Sequence, residues 1–307
     1  MLPGVTLVVS PLVALMEDQL THLPKGLPGA ALHSSQSPEQ AAAVVNALRA
    51  GSLKILFIAP ERLLSRRFLE LAASLPVGAR FTFACVDECH CVSEWSHNFR
   101  PAYYHLGRVL RTELGLSRIL ALTATATRRT EAAVVSSLGI ASAHIIRTAC
   151  MRPNLRLTVS RESKRDAALL SMLRPGGRLA HVKSVIAYAS YKVRAPGLLR
   201  GEPGLTSPVV QAESDRLAQF LYTNNIRAVS YHAGKSPAER SKVQMQFHSN
   251  KVRVVVATVA FGMGLDKSDV GAVVNVGMPR SIEAYVQQVC CVCTVRCSVA
   301  LFSLTQA

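Results

Sequence analysis

Phe81-Thr82-Phe83-Ala84-Cys85-Val86-Asp87-Glu88-Cys89-His90-Cys91-Val92-Ser93-Glu94-Trp95-Ser96-His97-Asn98-Phe99-Arg100-Pro101 is the stretch on which the fold turns. Phe81 to Val86 is a short apolar run of the kind that forms a strand buried on both faces of a parallel sheet. It ends in two adjacent carboxylates, Asp87 and Glu88. Acids delivered at a strand end can hold Mg²⁺ and polarise a water, which is what phosphoryl transfer to water requires. By themselves two such acids could equally be a solvated turn. The polar loop behind them carries the aromatics Trp95 and Phe99 and the cation Arg100, a combination suited to stacking on bases. Trp95 is the sole tryptophan. It could instead pack in a core, but its neighbours Glu94, Ser96, His97 and Asn98 are polar.

Working outward, apolar β-branched runs alternate with helical patterns. The predicted strands are Thr6–Val9, Ile55–Ile58, Phe81–Val86, Ile119–Leu122 and His144–Arg147. The intervening helices are Leu12–Leu23, Glu39–Ala50, Ala102–Leu114 and Arg128–Leu138. The rhythm breaks at Met151-Arg152-Pro153-Asn154. It resumes with strands at Val182–Tyr188, Ile226–Tyr231, Val252–Ala257 and Ala272–Val276, and helices at Glu213–Asn224, Pro237–Phe247 and Ser281–Val289. Strand–helix alternation with nearly continuous apolar strands predicts an α/β protein of parallel sheets covered on both faces. Two lobes are expected, over residues 1–150 and 151–289. A Pro- and Gly-rich insert at 191–211 reads as irregular, and the cysteine-bearing tail 290–307 carries no pattern.

The 307 residues hold 35 Lys and Arg against 19 Asp and Glu, a net charge of +16. That excess favours a polyanionic partner, of which nucleic acid is the commonest; a solvated basic surface is the plainer alternative. No apolar run is long enough to span a bilayer, which argues against a membrane partner. Eight cysteines in an intracellular-looking chain point to reduced thiols.

Several motifs, in order, resemble the RecQ-type DNA helicases of helicase superfamily 2. Val8-Val9-Ser10-Pro11-Leu12-Val13-Ala14-Leu15-Met16-Glu17-Asp18-Gln19 looks like motif Ia of that family, and Ala59-Pro60-Glu61-Arg62 like motif Ib. Asp87-Glu88-Cys89-His90 is a DExH-type motif II, followed by an aromatic-rich loop over Cys91–Tyr103. Leu122-Thr123-Ala124-Thr125-Ala126-Thr127 looks like motif III and Ser230-Tyr231-His232-Ala233-Gly234 like motif IV. Ala257-Thr258-Val259-Ala260-Phe261-Gly262-Met263-Gly264-Leu265-Asp266-Lys267 looks like motif V. A DEAD-box-like RNA helicase fits less well, because of the aromatic loop and the form of motif V.

The resemblance implies two RecA-like lobes, ATP hydrolysis between them, 3′–5′ movement on single-stranded DNA, action at duplex junctions, and roles in repair and recombination. It implies ATP and Mg²⁺ at Asp87 and Glu88, with Gly264 and Asp266 near the nucleotide. His90 is expected to link the acids to motif III. Ser10, Pro11, Trp95, Phe99, Arg100, Thr123, Thr125, His232 and Thr258 are the nucleic-acid-facing candidates, although threonines in strands are often only β-formers.

Two family features are missing. The phosphate loop Gly-x-x-x-x-Gly-Lys-Ser/Thr occurs nowhere in the sequence. Lobe one is therefore expected to lack its N-terminal strand and phosphate-loop helix, leaving a gap or an unpaired edge. The family continuation Gly-Arg-x-Gly-Arg, which carries an arginine finger, does not follow Gln287-Gln288; Cys290 and Cys291 stand there instead. Catalytic competence of these residues alone is thus in doubt, and an inactive basic DNA-binding fragment is the alternative. Zinc is not expected, since Cys290, Cys291, Cys293 and Cys297 match no strong zinc spacing. Abrupt loss of pattern at 192–211 and from Cys290 suggests intron-derived sequence, and with it a nuclear source. Transcript sequencing that finds both segments in the dominant mature message would rule this out.

Overall fold

The computed structural model describes residues 4–93, 100–148, 154–189, 208–258, 261, 267, 269–279, 281–290 and 297–303. The chain divides into two compact units, Met1–Thr148 and Ala149–Ala307. Each is an α/β unit built on one wholly parallel sheet.

The first sheet holds β1 (Val5–Val9), β2 (Gly29–Leu32), β3 (Ile55–Ile58), β4 (Phe81–Val86) and β5 (Ile119–Ala121), in the order β2-β3-β1-β4-β5. Val5, Leu7 and Val9 are fully buried, as are Leu56 and Ile58 of the neighbouring β3. They join Phe68, Tyr103, Leu106 and Leu138 in the main core. The opposite face is closed by Met16, Ala31 and Phe57. Helix boundaries follow local chemistry. Ser37 caps the helix Pro38–Arg49 through a reciprocal box with Gln40, and Pro38 occupies its first turn. Thr127 caps Arg128–Leu138, which stops at Gly139 in the left-handed region (φ 61°).

The expected gap is not there: β1 pairs directly with both β3 and β4, so the five described strands are continuous. What remains is an edge at β5, where Leu120 and Leu122 are 44% and 45% exposed. The strand expected at His144–Arg147 does not form either. Ser142–His144 is a single 3₁₀ turn, Ile146 is 91% exposed, and Arg147 is instead paired with Glu131. An apolar tetrapeptide becomes a strand only beside a partner, and no described strand lies next to this one. The single helix expected over Ala102–Leu114 is three short pieces, the last π-helical at Val109–Glu113.

The second sheet holds β6 (Leu155–Arg161), β7 (Ser184–Ala189), β8 (Ala228–Tyr231), β9 (Val254–Ala257), β10 (Val270–Val276) and β11 (Cys297–Ser303), in the order β6-β11-β10-β7-β9-β8. Every residue of β7 and β9 is buried, as strands covered on both faces must be. Ser236 and Glu239 form a second capping box on Pro237–His248. Two sequence expectations fail here. Residues 208–211, assigned to the irregular insert, open the helix Pro208–Thr223, with Val210 buried and Ser214 Oγ donating to its carbonyl. The tail, read as patternless, supplies β11, which fills the place between β10 and β6.

Candidate active site

The acids sit where β4 ends, on a turn held from four sides. Asp87 N–H donates to the Val9 carbonyl at the end of β1 (2.9 Å), and Cys89 N–H to the Leu122 carbonyl just past β5 (2.9 Å). Cys91 N–H closes the following 3₁₀ turn on the Glu88 carbonyl (3.0 Å). The fourth tie is the Tyr103 hydroxyl, which donates to the Asp87 carbonyl at 3.0 Å. Within the turn, Glu88 adopts φ 48°, ψ 42°, a left-handed conformation that costs a non-glycine residue energy. The Asp87 carboxylate accepts from the Glu88 N–H at 2.9 Å.

Both carboxylates are half-buried side by side. Burial, and then the charge of Glu88, raise the pKa of Asp87 above the usual carboxylate range. A divalent cation would relieve that repulsion. The donors are oxygens, as Mg²⁺ prefers, and one or two carboxylates suffice when phosphate and water complete the shell. The residues present therefore fit Mg²⁺.

His90 is buried, and its Nδ1 faces Thr123 Oγ1 at 3.0 Å and Glu88 Oε2 at 3.2 Å. The link between acids and motif III is thus a real contact. Burial opposes the charged imidazole, but bonds to Cys91 and Glu88 outweigh it and carry the His90 pKa up to about 9. A positive His90 beside Glu88 partly balances the two carboxylates. Thr123 Oγ1 also bonds the Thr125 backbone N–H (3.1 Å), so motif III is a tight hydroxyl turn.

Arg100 returns the aromatic-rich loop to its base. Its N–H donates to the Cys91 carbonyl (3.1 Å), and Nη1 donates to the Pro11 carbonyl (3.0 Å) and lies 3.9 Å from Glu61. The cation read as facing nucleic acid is thereby engaged with motifs Ia and Ib, and Pro11 takes part through its carbonyl. Trp95, Phe99, Gly264 and Asp266 lie outside the described residues. Ser10, Thr125, His232 and Thr258, read as nucleic-acid-facing candidates, are described and buried.

In the second unit, His232 Nε2 lies 3.1 Å from both Asp215 oxygens, Ser230 Oγ donates to the same carboxylate at 2.5 Å, and Lys235 Nζ is 3.6 Å away. Motif V is fixed at Phe261, whose carbonyl accepts from Tyr188 Oη (2.7 Å), and at buried Lys267. Lys267 Nζ reaches Asp269 (2.5 Å) and Asn250 Oδ1 (3.0 Å). Sequence reasoning overlooked Tyr103, Asp215 and Lys267. Lys267 lay inside motif V and Tyr103 at the end of the aromatic-rich loop Cys91–Tyr103; Asp215 acts from the helix Pro208–Thr223, so spacing gave no signal for it.

Comparison with known proteins agrees with this geometry. Residues 2–133 match the DEAD/DEAH box helicase family and residues 200–290 the helicase conserved C-terminal domain. ATP-dependent DNA helicase Q-like 5 of Arabidopsis thaliana is 46% identical over 290 residues, 94% of this chain and 29% of the relative. ATP-dependent DNA helicase Q4 of Homo sapiens is 43% identical over 291 residues, 94% of this chain and 23% of the relative. The chain belongs to the RecQ-type helicases of superfamily 2. It spans less than a third of the length of these two relatives. A DNA-bound structure of the DUF1998 helicase MrfA superposes with a TM-score of 0.68 at 15% identity, covering 99% of this chain and 42% of that one. At that identity the likeness shows the fold alone, two α/β units each built on a parallel sheet. The relatives matched are named as ATP-dependent helicases. Among the described residues no helix is long and apolar enough to cross a membrane, and no cluster of His, Cys, Asp and Glu is arranged to hold a metal through three or more of them.

Proposed function

We propose that these residues are the two-lobed motor portion of an ATP-dependent 3′–5′ DNA helicase acting on single-stranded DNA and duplex junctions, in nuclear repair and recombination. The observation that carries this is the braced Asp87-Glu88 turn bonded through His90 to Thr123, with the loop of Trp95 and Phe99 tied to the same turn at its base. Mg²⁺, when bound with nucleotide, neutralises phosphate charge. Asp87 would hold it directly or through water. Glu88 would orient the attacking water and accept its proton at a carboxylate oxygen. His90 keeps Glu88 aimed and ties its position to motif III. The basic excess and the aromatic loop support a sequence-tolerant grip on a strand.

A second reading is favoured by one observation: neither the phosphate-loop pattern nor the Gly-Arg-x-Gly-Arg pattern occurs in the 307 residues. On that reading the chain by itself binds DNA without turning over ATP. An arginine finger alone is worth about 10³–10⁵ in rate in related transfers. The deciding experiment is DNA-stimulated phosphate release by the purified chain, with Glu88→Gln as control and single-stranded DNA binding measured in parallel. We expect salt-sensitive DNA binding and no hydrolysis above the control. Hydrolysis lost in Glu88→Gln would show that other residues cradle the phosphates. Absence of DNA binding at low salt would refute both readings.

A further inference from the structure

Tyr103 is fully buried, and its hydroxyl donates to a backbone carbonyl, that of Asp87, at 3.0 Å. Burial pushes the phenol pKa far upward, so the group is a donor at any working pH. Tyr103 stands in the short helix that restarts the chain after the aromatic loop, and its own N–H donates to the Arg100 carbonyl (2.9 Å). Arg100 N–H in turn reaches the Cys91 carbonyl (3.1 Å), three residues past Glu88. A closed circuit results: Asp87 to Cys91 along the chain, Cys91 to Arg100 across the base of the loop, Arg100 to Tyr103 around one turn, and Tyr103 back to Asp87. A side branch runs from Arg100 Nη1 to the Pro11 carbonyl. Two bodies sharing such a ring cannot shift independently without breaking one of its bonds.

We propose that Tyr103 is a positioning residue whose hydroxyl locks the acid turn to the base of the 92–99 loop, so that displacement of either is transmitted to the other. It does not touch the reacting atoms; it sets the peptide that carries them. Without the hydroxyl, the Asp87 carbonyl would lose this partner and the strained Glu88 turn one of its four ties. The ring and its packing would be unchanged.

The test compares wild type, Tyr103→Phe and Tyr103→Leu in the complete 307-residue chain. Its first arm needs no ligand. Amide hydrogen exchange at Asp87, Glu88 and Cys89 is expected to quicken by about tenfold in Tyr103→Phe, the equivalent of one hydrogen bond. Amides of β1 and β3 should stay at wild-type rates. Uniform quickening across the lobe, or none at the turn, would overturn the proposal. Tyr103→Leu, which also removes the ring, should quicken the whole lobe and so calibrates a purely structural loss. The second arm rests on the proposed nucleotide site and uses Trp95, the sole tryptophan, as the loop's reporter. A Mg²⁺-bound non-hydrolysable ATP analogue at saturation should alter Trp95 emission in wild type. In Tyr103→Phe the analogue should bind within about twofold of wild type with the emission change abolished. An undiminished change in the variant refutes the coupling. If wild type binds no analogue, nucleotide binding by this chain alone is what fails, and the exchange arm still decides the role of Tyr103.

Discussion

Glu88 should occupy a backbone conformation that glycine tolerates better than a residue with a side chain. Its left-handed backbone (φ 48°, ψ 42°) is required because the chain must turn from β4 into the 3₁₀ segment Cys89–Val92 while Cys89 N–H reaches Leu122. A side chain in that region costs roughly 1–2 kcal/mol. Glycine escapes this penalty but loses about 0.5–1 kcal/mol more backbone entropy on folding. Replacing Glu88 also removes its contact with His90, so wild type is the wrong reference. The clean comparison is Glu88→Gly against Glu88→Ala, in which the lost carboxylate cancels. The glycine variant should be the more stable by about 0.5–1 kcal/mol, or roughly 1–4 °C in Tm for a unit of this size. Urea unfolding followed by circular dichroism, with equal slopes required of the two variants, measures it. An alanine variant as stable as the glycine one would refute the claim that the turn is strained. Confirmation would mean that the carboxylate proposed to orient water sits on a strained backbone, as residues at working sites often do.

Two further outcomes follow from the second unit. Arg253 donates to the carbonyls of Leu173, Leu179, Ala180 and Val182; Arg253→Ala should destabilise that unit by about 2–4 kcal/mol, and a loss under about 1 kcal/mol on chemical denaturation would show that water replaces it. Burial works against the Asp215 carboxylate, but bonds from Ser230 and His232 and the nearby Lys235 hold its pKa below the usual value. Its stabilisation is therefore present above the unfolded aspartate pKa of about 3.9 and lost as pH falls through the lower folded value. Stability measured between pH 5 and pH 2 should fall less steeply in Asp215→Asn than in wild type; identical slopes would refute the assignment.

The apolar runs at Ile55–Ile58 and Phe81–Val86 and the helix Arg128–Leu138 were legible in full, because continuous β-branched residues and cap signals act locally. The grouping of Asp87, Glu88 and His90 at the end of β4 was legible too, since a strand end, two acids and a histidine lie close together in the chain. Less could be read where a residue's state depends on something distant. His144–Arg147 has strand composition and no described strand beside it. Cys297–Ser303 looked patternless and became a strand because β10 and β6 leave a slot of its length. Arg100, a free cation on paper, is drawn to Pro11, 89 residues away.

Sequence by itself determined the family, the parallel α/β class and the placing of two acids at the end of β4, because each is written in short-range pattern. Tertiary structure alone decided what braces those acids. Tyr103 and Leu122 meet the acid turn only once β4 and β5 have paired and the loop base has closed, and Asp215 meets His232 only when its helix packs on β8. Hydrogen bonds of this kind depend on placement to a few tenths of an ångström, and spacing along a chain carries no such information.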